Sequence, residues 1–122
     1  VDDAASFEDG YNAVHTEYGA FGAGQVVQEI GTVINTLKFA RDVEEGIGMQ
    51  VAQGNDSDSF ACSCGSILGA YFADGLPEHW YAQFNNTIHT TMGNFHETDL
   101  QALTKRMQLL YKRVRQPEAP LA

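Results

Sequence analysis

Val26, Val27, Ile30, Val33, Ile34 and Leu37 recur at intervals of three and four. That is the period of an α-helix, in which such positions share a face; a half-buried strand would need strict alternation. The same kind of reading extends along the chain. Ser6 with Asp9 three residues later marks a helix start, and the pattern runs to about Tyr18. Gly19, Gly22 and Gly24 then interrupt it, and the second helix spans about Gln25 to Ala40. Asp42 and Glu45 have capping-box spacing and open a third helix reaching about Gln53, against the resistance of Gly46 and Gly48.

After a polar loop, Gly54–Asp58, a fourth helix runs to about Ala73, where Asp74-Gly75 stops it. Pro77 suits the first position of a short helix ending at Phe84. Thr98 and Gln101 are spaced to cap a last helix that ends before Gln116. No alternation long enough for a strand and no internal repeat is present. The expected fold is all-α and compact, a single domain over residues 1–115 with a flexible tail, 116–122, marked by Pro117 and Pro120.

Charge narrows the partners. Net charge is −9, and residues 1–104 carry 15 of the 16 acids with only Lys38 and Arg41 as bases. An acidic body repels phosphate backbones, which argues against nucleic acid. Lys105, Arg106, Lys112, Arg113 and Arg115 read as the solvated face of the last helix. The most apolar stretch, residues 60–73, is shorter than the roughly 20 residues a bilayer needs, so no membrane span is expected. Cys62 and Cys64 point to different faces of a helix and cannot easily bridge, a pattern that fits reduced thiols and a cytoplasmic setting. Burial is the expected fate of both thiols, and a zinc site built on them is disfavoured. Trp80, Tyr81 and Phe84 are expected in core or helix-docking contacts.

One segment concentrates chemistry. Gly54-Asn55-Asp56-Ser57-Asp58-Ser59 offers two carboxylates and two hydroxyls within four residues. Alternate Asp residues can aim at one point, and Mg²⁺ favours such hard oxygen donors. The competing reading is helix capping, for which Asp and Ser are among the commonest residues; both roles can coexist. A calcium-binding EF-hand loop fails, because Ala61 stands where its glycine is needed and Ile67 where its bidentate Glu is needed. The next helix is rich in small residues, with Gly65 and Gly69 on one face, which suits close helix packing.

The run from Gly54 to Ala61, then Gly65-Ser66-Ile67-Leu68-Gly69-Ala70, then Leu76-Pro77-Glu78-His79-Trp80, resembles the ADP-ribosylglycohydrolase family. Asp42-Val43-Glu44-Glu45-Gly46-Ile47 is similar to a helix of that family just upstream. The resemblance covers roughly residues 25–85 and corresponds to the family's C-terminal portion. It implies an orthogonal helical fold, a site for two Mg²⁺ or Mn²⁺ ions, and hydrolysis of the glycosidic bond of ADP-ribose attached to a protein or small molecule. By motif, Asp56, Asp58 and Ser59 are the implied metal ligands, Ser59 standing for the family's Thr. Asn55 and Ser57 are the implied substrate-binding residues.

No catalytic residue is assigned. The family's Gly-Asp-x-x-Gly and Asp-Asp-Thr/Ser segments have no counterpart here, since Asp2-Asp3 is followed by Ala4. Half of the ligands are therefore expected from elsewhere, either a complementing N-terminal half or another copy in a homo-oligomer, with weak turnover by the chain alone. The alternative is a non-catalytic helical module that binds ADP-ribose or a partner.

Overall fold

Ser6 begins the folded path as expected: its hydroxyl accepts the Asp9 N–H at 3.1 Å and opens α1, Phe7–Tyr18. The computed structural model describes residues 1–72 and 75–115. Helix α2 covers Val26–Phe39, α3 covers Val43–Ala52 and α4 covers Ser57–Phe72. Two single-turn 3-10 segments follow, Glu78–Trp80 and Ala82–Phe84, and then α5, Leu100–Arg115. The described residues contain no strand; Thr87 and Asp99 form an isolated antiparallel bridge. Among the described residues no helix is long and apolar enough to cross a membrane. The chain divides into two compact units, Val1–Pro77 and Glu78–Ala122.

In the first unit α2 is central, packing on α1, α3 and α4, while α3 and α4 pack closely on each other. Val33, Val43, Cys64 and Leu68 form the buried apolar cluster, with Leu37, Ile47, Phe60 and Phe72 against it. The face that α2 buries is unusual. Gln28, Glu29, Thr32, Asn35 and Thr36 are buried, whereas Val26, Ile30 and Ile34 are 62%, 51% and 47% exposed. The apolar period identifies the helix correctly, but most of that stripe is not what this unit covers.

Several boundaries move for local reasons. Asp42 accepts the Glu45 N–H at 2.7 Å, so the expected cap of α3 forms. The Glu45 carboxylate turns back one residue further, to the Arg41 N–H and guanidinium. The short helix expected from Pro77 to Phe84 is broken at Tyr81, whose φ and ψ of −122° and −17° interrupt it. Tyr81 and Phe84 are exposed. In the second unit α5 is capped by Asp99, which accepts the Ala102 N–H at 2.8 Å, in place of Thr98. Asn86 supplies the neighbouring acceptor for the Gln101 N–H. The bond from the Ala102 N–H, and after it one from the Asn86 side chain to Asp99, hold the Asp99 carboxyl below its usual range. The basic residues of α5 are exposed. The expected stop at Asp74 and the tail 116–122 lie outside the described residues.

Candidate functional site

Gly54 and Asn55 turn the chain between α3 and α4 with φ of +79° and +60°. That left-handed conformation is free of cost for glycine and tolerable for asparagine, so both residue types match the backbone they adopt. The Gly54 N–H closes on Val51 O at 3.1 Å, ending α3. Four residues, 53–56, then separate the two helices, where the sequence predicts a loop of five, 54–58. Asp56 precedes α4 and its carbonyl accepts the Phe60 N–H at 3.2 Å, while Ser57 and Asp58 already lie in the first helical turn. An acidic residue is favoured there by the helix dipole.

A buried polar network holds this turn from beneath. Gln50 is fully buried; its Oε1 accepts from the Thr36 hydroxyl at 2.9 Å and from the Cys64 thiol at 3.3 Å. Its Nε2 donates to Thr32 Oγ1 at 2.8 Å. Gln53, the residue before Gly54, donates to Thr32 O and Thr36 Oγ1 and accepts from Asn35 at 3.0 Å. Asn35 also donates to Phe7 O at 3.0 Å, which brings in α1. Hydrogen bonds are directional, so a network of this kind, in which Asn35 Oδ1 is left without a partner, fixes the registers of its helices as well as their contact. Burial pushes the Cys64 thiol up to about 11.

The residue that the motif did not reveal is Glu29, on the first turn of α2. It is fully buried. Its Oε1 accepts the Asp56 N–H at 2.9 Å and the Gly24 N–H at 3.0 Å, so one oxygen joins the glycine-rich turn before α2 to the loop before α4. Its Oε2 is buried without a hydrogen-bond partner. Nothing in the local sequence separates this glutamate from a solvated first-turn acid; only the contact across 27 positions does.

The candidate donors are spread over one helical turn. Asp56 and Ser57 are half-buried, whereas Asn55, Asp58 and Ser59 are exposed. Two carboxylates and a hydroxyl are chemically suited to a hard divalent cation, and Glu29, bonded to the Asp56 N–H, leaves its Oε2 without a hydrogen-bond partner. As a donor set they are partial: among the described residues no group of three or more His, Cys, Asp and Glu stands close enough to hold a metal ion. A zinc arrangement on the thiols does not form, because Cys64 is buried and Cys62, against expectation, is exposed.

Elsewhere in this unit, a groove of about 640 Å³ is lined by Val14, Tyr18, Val27, Ile30 and Ile34 among others, and no residue of the 54–59 turn lines it. Tyr18 and Phe21 lie 6.3 Å apart between ring centroids and contact one another.

The family model for ADP-ribosylglycohydrolase matches residues 1–119, a wider span than the motifs alone. No curated protein and no solved structure matches the chain.

Proposed function

This chain belongs to the ADP-ribosylglycohydrolase family, and from that membership we propose that it forms part of a hydrolase cleaving the glycosidic bond of ADP-ribosylated substrates. The observation that carries the reading is the Asp56–Ser59 turn, held by two left-handed residues and by the Glu29 carboxylate at the mouth of α4. The carboxylates of Asp56 and Asp58 and the hydroxyl of Ser59 would hold Mg²⁺ or Mn²⁺. A pair of such ions, when bound, polarises ribose hydroxyls and makes water more acidic. Asn55 and Ser57, flanking Asp56, would contact the substrate. The acidic turn favours the positive charge that develops on the sugar as the glycosidic bond breaks. Because the donor set is partial, the remaining ligands would come from a complementing N-terminal half or a second chain.

Thermal unfolding with Mn²⁺ or Mg²⁺, alone and with ADP-ribose, tests this. A ligand at about a hundred times its Kd stabilises the native state by about 2.7 kcal/mol. Asp56→Asn and Asp58→Asn should each remove the metal-dependent rise in Tm. A rise that survives in both variants, or no rise in the parent chain, would exclude the ligand assignment. The partial donor set also favours a second reading, a non-catalytic module. ADP-ribose binding without release of the modified group, with the complementing half supplied, would select it.

A further inference from the structure

A glutamate in the first turn of a helix is ordinarily a solvated group that the helix dipole favours. Glu29 occupies that position on α2 but is withdrawn from water completely. The Arg41–Glu45 ion pair of the same unit does not include it. Its two oxygens are treated differently. Oε1 is saturated by the N–H groups of Gly24 and Asp56, and Oε2 has no partner. Burying a carboxylate in this state is costly unless an opposite charge or further donors offset it. The turn that Glu29 itself holds is suited to recruit positive charge, with Asp56 bonded to it and Asp58 two residues on.

We infer that Glu29 is a positioning residue for a divalent cation bound at Asp56, Asp58 and Ser59. It would act in two ways without ligating the ion. Oε1 fixes the backbone of Asp56, and so the origin of its side chain. The carboxylate charge, only partly balanced by the two N–H groups on Oε1, raises the local affinity for a cation, and the cation in turn offsets the cost of burying that charge. This inference rests on the metal reading of the turn given above. Positioning is favoured over ligation because Glu29 is fully buried and its Oε1 is taken up by two backbone N–H groups.

Glu29→Gln separates charge from shape. The amide oxygen can still accept from Gly24 and Asp56, but the charge is gone. The variant should bind Mn²⁺ at least about tenfold more weakly, the scale on which groups supporting a metal site act. Binding is read from the loss of the free-ion Mn²⁺ resonance in a titration of the full chain. In the presence of chelator, its Tm should equal or exceed that of the parent, because a buried and only partly balanced charge has been removed. A purely structural role predicts the opposite coupling, with metal-free stability and affinity falling together, and that result would overturn the inference.

Mn²⁺ binding indistinguishable from the parent would overturn it as well. If Glu29→Gln does not fold, Glu29→Asp decides, since it keeps the charge but shortens the reach to the two N–H groups. Weaker Mn²⁺ binding by the folded Asp variant supports positioning, and unchanged binding overturns it. Failure of the parent chain to bind Mn²⁺ would remove the metal reading and this inference together. Binding by the parent that survives unchanged in Glu29→Gln removes only the inference.

Discussion

Gly46 on α3 lies flat against Leu68 on α4: a Cβ built on Gly46 would collide with Leu68 Cδ1 and approach the Ala40 Cβ at 3.1 Å. Two residues further along α3, Gly48 faces open space. The pair forms an internal control. Alanine favours a helix over glycine by about 1 kcal/mol at either position, whereas overpacking a filled contact costs about 1–3 kcal/mol. Gly48→Ala should therefore raise Tm, and Gly46→Ala should lower it. In the Leu68→Ala background, Gly46→Ala should become neutral or stabilising, which a double-mutant cycle would read directly.

Gln50 is the hub of the buried network, and Leu is close to it in size. Gln50→Leu strips partners from the Thr36 hydroxyl and the Cys64 thiol and removes the donor to Thr32. Each buried group left without a partner costs about 1–3 kcal/mol. A loss of about 2–4 kcal/mol by urea unfolding is expected, partly offset by the apolar replacement. Converting both threonines to valine together with Gln50→Leu should recover part of it, since the two hydroxyls that lose Gln50 are then gone, while the Cys64 thiol and one Gln53 N–H still lack their acceptors.

The Arg41–Glu45 pair sets a pH dependence. The guanidinium, helped by the Arg41 N–H, holds the Glu45 carboxyl down at about 2. A folded-state value below that of the unfolded chain gives stabilisation that is present above the unfolded value, about 4.3, and lost as pH falls towards 2. Glu45→Gln should accordingly lower Tm at pH 7 and match the parent near pH 2. With the Arg41 side chain 83% exposed, the difference should be small and should shrink in high salt.

The thiols should differ sharply in reactivity. Cys62 is exposed, whereas Cys64 is buried, hydrogen-bonded to Gln50 and raised to about 11. Only the thiolate is nucleophilic. At pH 8 one equivalent of a disulfide-exchange reagent should react quickly, and the second only after denaturation. Peptide mapping should place the fast adduct on Cys62.

What could be read from the chain alone followed the range of the interactions involved. The caps at Ser6 and Asp42 are set by residues three positions apart, and both form. The turn at Gly54-Asn55 is equally local, because the residue types that tolerate left-handed backbone announce it. The spacing puts the start of α5 one residue early because Thr98 and Asp99 are both competent caps. The bridge between Thr87 and Asp99 and the acceptor on Asn86, distant in sequence, favour Asp99. Glu29 stays hidden in the sequence for the same reason on a larger scale, since its distinction is a bond to Asp56 across 27 residues. Periodicity established that α2 is a helix. It does not say which face is covered when both faces carry groups able to find partners.

The polar interior of α2 has a thermodynamic consequence. Unfolding raises the heat capacity through newly exposed apolar surface and lowers it through newly exposed polar surface. A helix that hides Gln28, Glu29, Thr32, Asn35 and Thr36 while already showing Val26, Ile30 and Ile34 to water shifts that balance towards the polar side. Calorimetry should give an increment below the usual ~12–15 cal/mol/K per residue. The stability of the chain would then change little with temperature over a broad range: curvature in ΔG(T) comes from that increment, and here much of its source is in solvent before unfolding begins.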